Sequence, residues 1–187
     1  MAKQEVSFFW FRRDLRLEDN VGLFKALQSK YPVIPLFIFD TTILERLPNN
    51  DPRVGFIHES LSKINTQLKE LGSSLLIKKG KPQEVWSNLL EEYVIQEVFW
   101  NKDYEPSAIQ RDANVTHFLQ SKEVKVFATK DQVIFEEAEI VKADGLPYTV
   151  YTPFKNKWLE KYQSLAPVQE MDAGPYFSNF FKIDFDF

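Results

Sequence analysis

Val6-Ser-Phe-Phe-Trp-Phe11 is an apolar run of strand length, rich in β-favouring aromatics, and the charged cluster Arg12, Arg13, Asp14 ends it. A strand with one solvated face alternates apolar and polar residues, whereas a near-continuous apolar run is buried on both faces, as in a parallel sheet. Asp19 and Asn20 follow, where side-chain oxygens can cap a helix reaching Gln28, with Leu23 and Leu27 one turn apart on one face. A second apolar run, Val33 to Phe39, begins only a few residues later. Strand, short helix and buried strand in so little chain predict a βαβ unit with a parallel crossover.

The same alternation continues outward from this unit. From Arg53 to Leu71, Ile57, Leu61, Ile64, Leu68 and Leu71 recur at three- and four-residue steps, and Gly72 stands at the left-handed position that closes a helix. Leu75 to Ile77 reads as a third strand. Pro82 opens a helix striped by Val85, Trp86, Leu89, Leu90 and Tyr93. Val98 to Trp100 reads as a fourth strand, Ser107 to Gln120 as a helix, and Val124 to Phe127 as a fifth strand. The expected fold is α/β: a doubly wound five-stranded parallel sheet in the order 3-2-1-4-5, with helices on both faces. After Thr129 the pattern dissolves into loops and short elements around Pro147, Pro153 and Pro167. The aromatic-dense tail from Pro175 to Phe187 has neither helix nor strand period, and two readings stay open for it: a segment folded back on its own domain, or a linker whose partner surface lies elsewhere.

Composition narrows the chemistry. A 187-residue chain with 44% hydrophobic and 27% charged residues can bury a substantial core as one unit. With no cysteine and only His58 and His117 as imidazoles, it lacks the residues for disulfides, thiolate chemistry or a Cys-based metal site, and a His-based triad or transition-metal site is not expected. No run is long enough to span a bilayer and no apolar leader opens the chain, so a cytoplasmic location and no membrane partner are expected. Net charge is −4, whereas a surface gripping duplex DNA by its phosphates should be basic. If this protein serves DNA, another domain touches it.

In an open parallel sheet, ligands sit beyond the carboxyl ends of the strands, where strand order reverses. Arg12, Arg13, Asp14 and Arg16 follow the first strand, Asp40 the second, and Asn101, Asp103, Tyr104 and Glu105 the fourth, so these groups should converge on one rim. No glycine lies between Arg12 and Asn20, and Gly80-Lys81-Pro82 lacks the rest of a phosphate-binding loop, which argues against dinucleotide or ATP binding by those geometries. The carboxylates of Asp40, Asp103 and Glu105, with the guanidinium groups of Arg12 and Arg53, could hold the amide-like edge of a heteroaromatic ring and an anionic tail. The same pattern also fits solvated or ion-paired residues.

Phe9-Trp-Phe-Arg-Arg-Asp-Leu-Arg-Leu-Glu-Asp-Asn20 resembles the opening signature of the photolyase/cryptochrome family, most like class I deoxyribodipyrimidine photolyases. Further matches follow in order: Phe37-Ile-Phe-Asp40, Arg53 opening the helix that contains Glu59-Ser60-Leu61, Asn101-x-x-Tyr-Glu-Pro106, Arg111-Asp112, and Val150-Tyr-Thr-Pro-Phe-Lys155. The resemblance runs from about Val6 to Leu165. It implies residues 5–130 as the core of the α/β antenna-binding domain, 131–165 as its C-terminal extension and 166–187 as the start of an interdomain linker. The partner would be the parent protein's own C-terminal helical domain, absent here, which binds FAD and contacts damaged DNA.

In such enzymes an antenna pigment, methenyltetrahydrofolate or 8-hydroxy-5-deazaflavin, absorbs light and passes excitation to reduced flavin, which then splits a pyrimidine dimer. The resemblance implies no catalytic residue here, so the chain alone is not expected to repair DNA. It places Asp103 and Glu105 on the polar edge of the antenna ring. Asp40 and Arg53, with Phe37, Ile38, Phe39 and Val54, match the pocket of deazaflavin-binding relatives, and Arg12 joins from the first-strand rim. Arg53 is expected to offset part of the acids' charge. Asp14 and its neighbouring arginines are read as a structural ion-pair cluster, and Trp10, Trp86, Trp100 and Trp158 as core and interface. The alternatives are the same domain of a blue-light signalling cryptochrome, and a stand-alone nucleotide-binding module.

Overall fold

The computed structural model describes residues 3–167 and 169–185. Five parallel strands form one sheet: β1 Glu5–Phe11, β2 Val33–Asp40, β3 Leu76–Gly80, β4 Val94–Asn101 and β5 Lys125–Thr129. Their order is β3-β2-β1-β4-β5, as the alternation predicts. Helices α1 (Val21–Leu27) and α3 (Pro52–Glu70) join strands on one side of β1, and α4 (Pro82–Glu92) and α5 (Pro106–Gln120) serve the other direction of winding. A one-turn helix, α2 (Thr41–Leu44), follows β2 directly.

Every residue of β1 from Val6 to Phe11 is buried, and their side chains alternate between two cores. Phe9 and Phe11 enter a core with Leu23 and Leu27 of α1 and Leu61, Ile64 and Leu68 of α3. Phe8 and Trp10 enter the other with Trp86 and Leu89 of α4 and Val115 and Leu119 of α5. This is why β1 reads as apolar at both parities: it is the central strand and has no solvent side.

Local signals hold at the helix ends. The Asn20 side chain accepts the Leu23 N–H at 3.1 Å, capping α1. Gly72, at φ +74°, closes α3 with the Gly72 N–H on the Lys69 carbonyl and the Ser73 N–H on the Leu68 carbonyl, the paired pattern of a Schellman end.

Two differences from the sequence reading have physical causes, and one open reading is resolved. β4 begins at Val94 instead of Val98, because its polar residues find partners: Gln96 donates to Glu5 at 2.9 Å, and Glu97 accepts from Ser29 at 2.6 Å. A helix, α6 (Tyr151–Gln163), stands where loops are expected; Pro153 is its third residue, within the first turn, where a missing N–H costs nothing. Residues 171–185 fold back on the α/β unit. Val33 bridges Phe180, the Phe181 N–H donates to the Val33 carbonyl at 2.8 Å, and Ser73 Oγ donates to the Phe181 carbonyl at 2.7 Å. Phe180 and Phe181 are buried, one in each core, so any linker beginning here starts from a docked segment.

Residues 132–170 form a second compact unit. Within it, Trp158 of α6 packs edge-on against Phe135 and stacks on Tyr162, and Lys161 donates to the Glu139 carbonyl at 2.9 Å. No described helix is long and apolar enough to cross a membrane.

Candidate functional site

Strand order reverses between β1 and β4, and there the turns after β1, β2 and β4 surround a cavity of about 290 Å³. The nine residues carried over from the resemblance line it: Arg12, Phe37, Ile38, Phe39, Asp40, Arg53, Val54, Asp103 and Glu105; of the other rim groups expected to converge, Arg13 lines it and Asp14, Arg16, Asn101 and Tyr104 do not. The strand alternation of β2 sends Phe37 and Phe39 to one side of the sheet, where their rings meet edge to face at 4.9 Å, and Ile38 to the other. Val54 and Ile57 come from α3, three residues apart on one helix face.

The polar groups have distinct roles. Asp40 ends β2, and its Oδ1 accepts the Thr42 N–H at 2.9 Å and the Thr42 hydroxyl at 2.7 Å, which caps α2. Arg12 is deeply placed. Its guanidinium forms an ion pair with Asp112 and donates to the Asn101 carbonyl, and it lies over the rings of Trp10 and Trp100 at 5.3 and 5.7 Å. Burial lowers its pKa below the usual value for arginine, with Asp112 pulling the other way. A cation so engaged shapes the wall and has few donors left for a ligand, in keeping with its reading as part of a structural cluster.

The expectation that Arg53 offsets the acids is corrected. Arg53 is the second residue of α3, and both its N–H and its guanidinium return to Asp51, the helix cap, at 2.9 and 2.6 Å. These bonds hold the Asp51 carboxyl at about 2 and raise the Arg53 pKa. The counter-ion for the acids is Arg13, whose Nη1 lies 2.7 Å from Glu105 and 3.5 Å from Asp103. It can reach them because β1 pairs with β4. The bond to Glu105 chiefly raises the Arg13 pKa.

Sequence reading missed Ile43, Leu44 and Leu47, because the turn after β2 carries no helical period long enough to detect, and Ser107, Ala108 and Arg111, which enter from the first turns of α5. The only available signal was position after a strand end. Beneath the cavity, Asn101 Oδ1 accepts from the Gly22 N–H at 2.8 Å and the Thr129 hydroxyl at 2.7 Å, while its Nδ2 donates to Asp14 and Asn20. That buried amide ties the ends of β4 and β5 to the start of α1. Among the described residues, no three His, Asp or Glu side chains gather as a metal site.

The cavity combines apolar side chains of β2 and α3 with the carboxylates of Asp103 and Glu105 and the Arg13 cation beside them, chemistry that suits a heteroaromatic ring with N–H groups along one edge. The family model for DNA photolyase matches residues 7–173. The deoxyribodipyrimidine photo-lyase of Synechococcus sp. is 34% identical over 170 residues, covering 89% of this chain and 35% of that protein. The class III photolyase of Agrobacterium tumefaciens superposes with a TM-score of 0.77 at 28% identity, over 91% of this chain and 34% of that one. An archaeal photolyase from Sulfolobus tokodaii superposes at 0.61 with 31% identity, over 72% of this chain and 32% of that one. The chain therefore spans about a third of the length of these relatives. Its sheet order and helices are those of the N-terminal α/β domains of photolyases and cryptochromes, and with the family model covering most of its length, this chain belongs to the DNA photolyase family.

Proposed function

We propose that this chain is the pigment-binding domain of a light-dependent DNA repair enzyme, a deoxyribodipyrimidine photo-lyase, and that its cavity holds a tricyclic deazaflavin-type antenna pigment. The observation that carries the reading is the convergence of the nine residues on one 290 Å³ cavity with apolar walls and an acidic edge. Phe37, Phe39, Val54 and Ile57 supply apolar contact to the ring faces. Asp103 and Glu105 accept ring N–H groups, and Arg13 limits their mutual repulsion. FAD and damaged DNA belong to the remainder of such an enzyme, in keeping with the acidic balance of this chain. The Sulfolobus tokodaii relative is described with two FAD molecules and the implication of a novel light-harvesting cofactor, which supports a second pigment as a family property.

The test is a titration of the chain with 8-hydroxy-5-deazaflavin and, separately, with methenyltetrahydrofolate, followed by absorbance. Deazaflavin binding that falls about ten- to a hundredfold in Glu105→Ala is expected, the cost of one charged hydrogen bond. Val54→Trp, a half-buried position whose larger side chain would fill the slot, should abolish it. Preference for the folate would replace the tricycle with a pterin, and binding of neither would refute the reading.

A further inference from the structure

Trp10, near the end of β1, lines the ring cavity and is otherwise buried. The guanidinium carbons of Arg12 and Arg111 each stand 5.3 Å from the centre of its ring. Both cations are fixed there. Arg12 is held by Asp112 and the Asn101 carbonyl, and Arg111 by Asp112 at 2.9 Å. One carboxylate thus answers two guanidinium groups, while Asp14 accepts from the Asn101 and Asn20 amides and the Arg12 N–H. Edge to face with Trp10 lie Trp86 at 5.9 Å and Trp100 at 5.6 Å, and Arg12 also stands 5.7 Å from the Trp100 ring. Among the described residues neither the Trp86 nor the Trp100 indole N–H has an acceptor.

Indole is among the most readily oxidised side chains, and a photoexcited heteroaromatic ring beside it is an oxidant. One electron leaves the indole for the vacancy that excitation opens in the ring, then returns, and the light is lost as heat with no net chemistry. Cations oppose the first half of that cycle. A neutral indole attracts a guanidinium through its quadrupole, whereas an indole that has lost an electron is positive and is repelled. The unpartnered N–H groups of Trp86 and Trp100 oppose it too, since no base stands ready to take the proton that an oxidised indole sheds. We propose that Arg111 and Arg12 guard the excited state of a ring bound in the cavity, holding Trp10 and Trp100 against one-electron oxidation so that the excitation survives to be passed on. The inference rests on the ring-binding reading above and deepens it, giving these arginines a role in the pigment's photophysics and not in its affinity.

The test is the fluorescence lifetime of 8-hydroxy-5-deazaflavin bound to the 187-residue chain, measured at saturation so that affinity does not enter. Arg111→Gln removes one cation and leaves Asp112 paired with Arg12. In that variant the lifetime should shorten at least about twofold, as the lost Coulomb repulsion eases electron loss from Trp10. Transient absorption should then show the indole radical. The double variant Arg111→Gln with Trp10→Phe should restore the parent lifetime, and Trp10→Phe alone should leave it unchanged, because quenching by Trp10 is already suppressed. A lifetime that Arg111→Gln does not alter, a shortening that persists in the double variant, or a lengthening in Trp10→Phe alone would overturn the guard and leave the ring reading intact. Absence of saturable pigment binding to the parent chain, read by absorbance before any lifetime is measured, would overturn the ring reading and the guard with it.

Discussion

Glu105 Oε1 lies 2.7 Å from Nη1 of Arg13, an ion pair across the point where strand order reverses, between the turn after β1 and the turn after β4. It joins residues 92 positions apart. Both side chains are more than half exposed, so the pair is screened and its coupling to stability is expected to stay below about 1 kcal/mol. A double-mutant cycle of Arg13→Ala and Glu105→Ala, read by urea unfolding, should find a small favourable coupling. The same cycle with Arg53→Ala in place of Arg13→Ala should be additive, because Arg53 is engaged by Asp51.

Gly22 is expected to tolerate no side chain. A Cβ there would stand 2.6 Å from Asn101 Oδ1, 2.9 Å from a ring carbon of Phe9 and 3.0 Å from Thr129 Oγ1. Gly22→Ala gains helix propensity but forces the buried amide network apart, and overpacking of this kind costs about 1–3 kcal/mol. Chemical denaturation of the variant should find a lower midpoint with an unchanged slope.

Asn101→Ala removes the acceptor for a buried Gly22 N–H and leaves the Thr129 hydroxyl one partner fewer. A stranded buried donor costs about 1–3 kcal/mol. Thermal unfolding should place this variant below Gln96→Ala, which loses only an exposed side-chain bond.

These positions mark what the sequence made legible. Strand and helix identity in β1, α1, β2 and α3 followed from apolar period and from caps at Asn20 and Gly72, both local properties. Arg12, Asp40, Asp103 and Glu105 followed from one topological rule, that ligands gather beyond strand ends, whereas Phe37, Ile38, Phe39, Arg53 and Val54 came only from the family resemblance. The pairing of Arg13 with Glu105, the N-cap role of Asp51 and the closure of Phe180 over Val33 depend on contacts between distant stretches, which no period encodes. Pro153 misled for a related reason, since proline breaks a helix interior but suits a first turn, and only the position of the helix start separates the two.

Phe180→Ala is expected to destabilise the α/β unit by about 3–5 kcal/mol, the usual cost of emptying a buried aromatic site. Phe180 is 1% exposed and stacks on Phe177. If the tail were only loosely attached, the substitution would be nearly silent in urea unfolding and in amide exchange at Val33.

The cap of α3 gives a pH dependence with a defined sign. The Asp51 carboxyl, lowered from 3.8 to about 2 by its bonds to Arg53, is fully ionised and stabilising above pH 4. Its contribution is lost as pH falls through 4 towards 2, because the unfolded chain takes up the proton first. Carbon-detected NMR titration should place the Asp51 midpoint near 2, and Arg53→Ala should return it towards the ordinary aspartate value.

The central claim is that a planar pigment lies in the cavity between β2, α3 and the turn after β4, and a crystal structure of the chain grown with 8-hydroxy-5-deazaflavin tests it directly. The account predicts ring density against Phe39 and Val54, with a polar edge within hydrogen-bond distance of Asp103 or Glu105. An empty cavity at saturating pigment, or a ring bound at another surface, would contradict it.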